Sequence, residues 1–400
     1  MADKNFMKRL TESSVGNILV YVINILFPIL AEKLYGFYAS GEYTYGLSIV
    51  NMTMFVATLG LGTGLLYFIP KEGNKYITFS FVMNFFASLV IILGMFFMFE
   101  DTSVRVMLPL IWFMSAEQIF FSIFRAKHSI KEYFRINIMV GLVLKSILIW
   151  VFYLLWGANY LNIVIATYIS VGISLVIYFI KQRDEFGKLI VSKRVISYSL
   201  PLIIGSMMSV LMSQIDIVMI RNMIGSEDVQ IYNLVAKIAT FPSIFLLVLN
   251  TIFPPIVAKL YHDGDMPKLR EMYKKSARTL ALISGIVIIV MIIFRKQILL
   301  LCGAEYLQAE YVLIYRGIGQ VINASVGSVW YIICMTGRSK TNMFGKIVAA
   351  ILNTVLNFVL IPKMGITGAA LASMITVGFV NILGYSIVKR ILDVKVYGIV

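Results

Sequence analysis

Charge is what this 400-residue chain has least of. Only 14% of its residues are Asp, Glu, Lys or Arg, and 20 acids face 35 bases. A soluble domain of ordinary composition is about 25% charged, because its surface must be solvated. Here 60% of residues are hydrophobic and the mean hydropathy is +0.87, which excludes a water-soluble fold. The two cysteines, Cys302 and Cys334, stand in different segments without metal-ligand spacing, so ordinary apolar packing accounts for them. The two histidines, His128 and His262, fall in polar gaps and suggest no His–Cys or His–carboxylate metal site. No Gly-rich phosphate loop follows a strand pattern, which excludes an internal ATPase of that kind. No cofactor is expected.

What the chain does have is long apolar stretches, twelve of them, near 13–31, 43–69, 76–99, 106–124, 136–156, 160–180, 195–220, 229–258, 276–294, 311–335, 343–362 and 364–388. A hydrocarbon core of about 30 Å needs roughly 20 apolar residues as a helix rising about 1.5 Å per residue. The expectation is an all-α integral membrane protein of about 12 transmembrane helices. The first stretch follows Lys8 and Arg9 as a signal peptide would. It is too long for an h-region and lacks a small-x-small cleavage site, so it reads as a retained span.

Cations crowd into every second gap. The gaps around Lys4–Arg9, Lys71–Lys75, Arg125–Arg135, Lys181–Arg194, Lys259–Arg278, Arg338–Lys346 and Lys389–Lys395 hold 26 of the 35 Lys and Arg, and the alternate gaps hold 6. Three more, Lys145, Lys237 and Arg316, lie within apolar stretches. By the positive-inside rule the rich gaps are cytoplasmic, which puts both termini in the cytoplasm of a multi-pass cell-membrane protein. The net charge of +15 is therefore spent on loops whose natural partners are anionic membrane lipids. No basic, aromatic-interleaved patch remains for nucleic acid. Within 265–278, Met266, Leu269, Met272 and Tyr273 alternate with cations, the pattern of an amphipathic helix lying on headgroups. The outer gaps are short, the longest around 295–310, and none could house a catalytic domain. Transport is favoured over chemistry, and the chain is not expected to be an enzyme.

The pattern repeats after about half the chain. Gly41-Glu42-Tyr43 follows the first span as Gly225-Ser226-Glu227-Asp228-Val229 follows the seventh, and Trp156-Gly157-Ala158 matches Met364-Gly365-Ile366. Six spans per half is an even number, so the halves enter the membrane from the same side and form a parallel pseudo-two-fold repeat about the membrane normal. The expected domains are an N-terminal lobe at 1–180, a charged cytoplasmic linker at 181–194, and a C-terminal lobe at 195–400.

Several segments carry a family resemblance. They are Ser213-Gln214-Ile215-Asp216-Ile217-Val218-Met219-Ile220, then Glu227-Asp228-Val229-Gln230-Ile231-Tyr232-Asn233, and Phe253-Pro254-Pro255 through His262-Asp263-Gly264-Asp265. Asn353 and Asn357 follow, leading through Ile361-Pro362-Lys363-Met364-Gly365 to Ala372, and Tyr67-Phe68-Ile69-Pro70 closes the opening segment. In order and spacing the chain resembles polysaccharide-biosynthesis flippases of the multidrug/oligosaccharidyl-lipid/polysaccharide exporter superfamily. It departs from them at Thr44 and Gln230, where members often have Gly, and it stops after the twelfth span where some relatives carry two more.

The resemblance implies a MATE-like, V-shaped transporter that moves a polyprenyl-diphosphate-linked oligosaccharide from the inner to the outer leaflet for surface polysaccharide. It also implies ion-gradient coupling, with a polysaccharide polymerase and glycosyltransferases as partners. A lipid-linked peptidoglycan-precursor flippase, a multidrug/cation antiporter, and a membrane glycosyl-transferring enzyme or scaffold stand as alternatives.

Charges at membrane depth are the sharpest functional signal, since each costs about 2.5–3.5 kcal/mol at a span centre and usually faces a cavity or a partner. Lys237, Arg316 and Lys145 are the candidates to bind an anionic head group. Asp216 and Glu117 are open to two roles, ion coupling or structural pairing with these cations. Pro28 and Pro242 are candidate hinges, because each removes a backbone hydrogen bond. Gly60, Gly62, Gly64 and Gly205 permit bending or close helix approach.

Overall fold

Every one of the twelve apolar stretches is helical over most of its length. The computed structural model describes the backbone of residues 2–127 and 129–397, with all their side chains except those of 2–15, 198, 200–206, 251, 252 and 255. The side chains of Lys4, Lys8, Arg9, His128 and Gly205 lie outside the described residues. The chain packs as two units, Met1–Val218 and Met219–Val400.

The first unit contains α1 (Ala2–Ala57), α2 (Leu61–Glu72), α3 (Ile77–Met98), α4 (Thr102–Arg105), α5 (Leu110–Ala126), α6 (Ile130–Ile136), a π-helical turn over Asn137–Leu144, α7 (Lys145–Trp156) and α8 (Tyr160–Gln182). Helix α9 (Lys193–Met223) carries the chain across the division. The second unit holds α10 (Ser226–Ile238), α11 (Ile244–His262), α12 (Met266–Ile293), α13 (Arg295–Cys302), α14 (Glu310–Ser325), α15 (Val329–Met335) and α16 (Ser339–Leu392).

Among the described residues, eight helices are long and apolar enough to cross a membrane, and α14 with α15 adds a ninth span bent by 40°. Two of the eight are double. Gly36 (φ 81°, ψ 170°) breaks α1 and Gly365 (φ 59°, ψ −140°) breaks α16, each dividing one continuous helix into two of the sequence's stretches. A side chain at these left-handed angles is strained, which is why glycine turns the chain there. The first turn thus falls at Gly36 and not at Gly41-Glu42-Tyr43, which is helical and buried. Tyr43 is held inward by Phe27, ring centroids 6.0 Å apart, and by a 3.0 Å hydrogen bond with the Thr167 hydroxyl.

Inside the helices the usual soluble pattern is inverted. On α3, Ser80, Asn84 and Ser88 recur every four residues and are fully buried, while Val90, Phe97 and Met98 are exposed. On α8, Asn162, Thr167, Ser170 and Ser174 are buried and Val176, Phe179 and Ile180 are exposed. Small and polar residues let backbones approach and supply interhelical hydrogen bonds, where lipid offers large apolar residues nothing to escape.

Residues beyond α8 are bound to the first unit. Glu185 contacts Asn74 and Lys127, the Thr78 hydroxyl donates to the Gly187 carbonyl at 2.9 Å, and Arg194 meets Glu72 at 3.1 Å. In the second unit, 265–278 is not a separate surface helix. It forms the first turns of α12, and Leu269 and Tyr273 are fully buried among Phe253, Ile332 and Leu392. Protein covers the apolar face that the sequence assigned to headgroups. Part of that cover is a strap formed by 393–397, in which Val394 and Val396 are buried in the same cluster. Arg278 Nε donates to the Val396 carbonyl at 2.7 Å, and Arg270 Nε donates to the Leu392 carbonyl.

Candidate functional site

Three helices of the first unit converge on Glu117, which α5 carries. Asn137, at the start of the π-helical turn, donates Nδ2 to Glu117 Oε1 at 3.0 Å. The Tyr178 hydroxyl on α8 lies 3.5 Å from the same oxygen, a weak contact. Tyr178 stacks on Tyr133 of α6, centroids 5.3 Å apart at 13°. Lys145 begins α7, its Nζ 3.9 Å from the centroid of the Phe27 ring, and interacts electrostatically with Glu117. A π-helical turn is rare and favours functional sites. Here it begins at Asn137 and ends just before Lys145, the two residues that address the carboxylate. Ser174 adds a buried hydroxyl that has no hydrogen-bond partner among the described residues.

Above α2 the second span is broken. Leu59 (φ 49°) and Gly60 (φ 68°) leave the helix, and Gly60 caps α2 in the left-handed region. A broken helix in lipid strands carbonyls that no water can satisfy. Asn84 resolves this: its Nδ2 donates to the Ala57 carbonyl at 3.0 Å and to Ser115 Oγ at 2.8 Å. The second unit repeats the solution at the bend between α14 and α15. There Tyr273 donates to the Val326 carbonyl at 2.9 Å and Ser328 donates to Asn250 at 2.6 Å.

Lys237 lies in the last turn of α10 and Arg316 in α14; both are partly buried. The Arg316 guanidinium sits 5.9 Å from the Tyr232 ring on α10, and both cations have further interactions. Pro242 is the middle residue of the short 3₁₀ turn Phe241–Ser243 that separates α10 from α11, whereas Pro28 is buried inside α1 without local loss of helical angles. Asp216 is 1% exposed on α9 and is also engaged. Asn357 donates to Asn353 at 3.2 Å, and Asn353 lies 3.5 Å from Ser373, so this polar pair joins the two arms of α16.

Sequence reasoning missed Glu42. Assigned to a turn, it is 2% exposed within α1. With it, Glu42, Glu117, Asp216 and Lys145 lie in the first unit and Lys237 and Arg316 in the second; Glu42 and Asp216 are buried and the other four half-buried. Sequence reasoning also missed Asn137, Tyr133 and Tyr178. Their signal was available, since Tyr133 and Asn137 are four apart and share a helix face.

Comparison with known proteins adds the following. The family model described as Polysaccharide biosynthesis protein matches residues 7–260, and the MatE model matches 201–359. The capsular polysaccharide biosynthesis protein CapF of Staphylococcus aureus is 22% identical over 396 residues, spanning 94% of this chain and 98% of CapF. The inward-facing structure of a multidrug resistance MATE family transporter of the MOP superfamily superposes with a TM-score of 0.68 at 14% identity, covering 93% of this chain and 98% of that one. A MOP superfamily transporter from Pyrococcus furiosus, described by a reversed polarity of its binding pocket, gives 0.69 at 14% identity over 96% of each chain. At such identity the likeness is one of fold.

Proposed function

The chain belongs to the polysaccharide biosynthesis protein family and is a multi-pass membrane flippase of the exporter superfamily, and we propose that its cargo is a lipid-linked oligosaccharide. Its families and structural neighbours are transporters, not enzymes. The observation that carries the proposal is the pair of half-buried cations, Lys237 and Arg316, within the helices of the second unit. The second unit presents Lys237 and Arg316, the first an excess of carboxylates. Cations at depth suit the diphosphate that links polyprenol to sugar, because Arg and Lys supply both charge and donors to phosphate oxygens. A cationic drug would be repelled there.

In this proposal Glu117 and Asp216 couple transport to an ion gradient, and Lys145 either helps hold the head group or balances Glu117. The protein resides in the cell membrane with both termini cytoplasmic, beside anionic lipids, and hands its cargo between glycosyltransferases and a polymerase. Pro242, at the break between α10 and α11, and Pro28 are the hinges.

The test is transport of the lipid-linked glycan in reconstituted vesicles. Lys237→Ala and Arg316→Ala each remove a charge-assisted contact worth about 1.5–3 kcal/mol, so flipping should fall about tenfold or more at normal membrane abundance. Arg316→Lys keeps the charge but loses the planar fork and should recover only part. Wild-type rates in both alanine variants would sink the proposal.

A further inference from the structure

The first unit also contains a cavity of about 480 Å³ that neither charge cluster reaches. It is walled by α1, α3 and α9 through Ile49, Met52, Val56, Ile91, Met95 and Val218, and Met98 and Phe99 edge it at the end of α3. Among the described residues, no polar group faces it. The one hydroxyl in its wall, on Thr53, turns back to donate to the Ile49 carbonyl at 2.8 Å. The cavity is open at the protein surface, since Met98 is 78% exposed and a Cβ built on Gly94 meets nothing within 4 Å. Its volume is that of a ligand pocket, and methionines give its walls adaptable shape.

At the end of the cavity stands a cation. Arg105 Nε donates to the Phe99 carbonyl at 2.6 Å and to the Phe96 carbonyl at 3.2 Å, with its guanidinium 4.7 Å from the Phe96 ring. These bonds fix the guanidinium to the same residue, Phe99, that edges the cavity. Two carboxylates lie nearby in sequence: Glu100 is exposed, and Asp101 accepts from the Ser103 amide at 2.9 Å. A hydrocarbon groove with an arginine held at its rim has the polarity of one kind of molecule, an anionic lipid. Straight acyl chains line the whole bilayer and need no groove. A branched chain packs poorly among them and gains from a methionine-rich wall that can shape itself to its methyl groups.

We infer that this groove holds part of the polyisoprenoid chain of the carrier lipid, with Arg105 facing its phosphate. The inference rests on the lipid-linked cargo proposed above and places the carrier's tail in the first unit, apart from Lys237 and Arg316. The probe is a diazirine-bearing polyprenyl phosphate, photolysed with the full-length protein in nanodiscs, with crosslinks located by mass spectrometry and flipping measured in parallel.

Crosslinks should fall on Met52, Met95 and Met98. Unlabelled polyprenyl phosphate should compete them away and phosphatidylglycerol should not. Gly94→Phe, whose Cβ would meet nothing within 4 Å, and Arg105→Ala should each cut this labelling severalfold. Equal competition by phosphatidylglycerol would mean an ordinary bilayer lipid and would overturn the inference. Specific labelling confined to other helices, with flipping intact in Gly94→Phe, would overturn the groove and leave the cargo proposal standing. No specific labelling anywhere, with no flipping of the glycan lipid, would overturn both.

Discussion

Replacing Asn84 by Leu keeps the branched shape and the number of side-chain heavy atoms and removes both hydrogen bonds that hold the broken second span. Asn84 is fully buried, and its Nδ2 serves the Ala57 carbonyl at 3.0 Å and Ser115 Oγ at 2.8 Å. An interhelical hydrogen bond in a membrane protein is worth about 0.6 kcal/mol on average, and a stranded buried acceptor costs about 1–3 kcal/mol. Ser115 loses less, because it also donates to the Trp112 carbonyl at 3.0 Å. The expected destabilisation is therefore about 1.5–3 kcal/mol, dominated by Ala57. Reversible unfolding in mixed micelles by SDS titration would measure it. A double-mutant cycle with Ser115→Ala should give a coupling of about 0.6 kcal/mol, which isolates the smaller bond. A loss below about 0.5 kcal/mol for Asn84→Leu would mean that the break is held by other packing, and the account of the second span would fail.

Other outcomes follow from the same geometry. Glu117→Gln and Lys145→Met should each lower stability, and the double variant should recover part of the loss, with a coupling of about 0.5–3 kcal/mol; strict additivity would show that the two charges do not interact. Gly368→Ala should destabilise by about 1–3 kcal/mol, because its Cβ would press on the Leu360 backbone, which cannot rotate away, whereas Gly94→Ala should be neutral or stabilising. The unfolding assay that serves Asn84 separates the two. Single cysteines at 157–160 or at Glu227 should react with an impermeant maleimide added outside cells, and those in 181–194 or 262–275 should not. Labelling of 262–275 from outside would reverse the proposed orientation.

The helical segments were legible because a lipid core demands long apolar runs, a constraint written directly in hydropathy. Where helices bend was not. Gly36 and Gly41 look alike in sequence, and only the inward packing of Tyr43 decides between them. The breaks at 58–60 and 326–328 depend on donors far along the chain, Asn84 and Tyr273, that no local pattern links to them. The charged candidates were visible because an ionised group in an apolar run is costly anywhere. Their surroundings were not: Glu117 announces itself, but Asn137 and Tyr178 acquire meaning only when three helices meet. The apolar stripe of 265–278 was correctly read as amphipathic and wrongly given to lipid, because its protein partner, Val394 to Val396, lies more than a hundred residues later.

That last pairing bears on biogenesis. A ribosome delivers α12 to the membrane well before residues 392–397 emerge, and domains tend to fold in the order of their synthesis. Until the strap arrives, the buried face of Leu269 and Tyr273 lacks its cover, and Arg270 and Arg278 lack the carbonyls of Leu392 and Val396. The end of the second unit at which α12 begins is therefore the last part of the described protein to be sealed, and during translation it is where a chaperone or a protease has its opening.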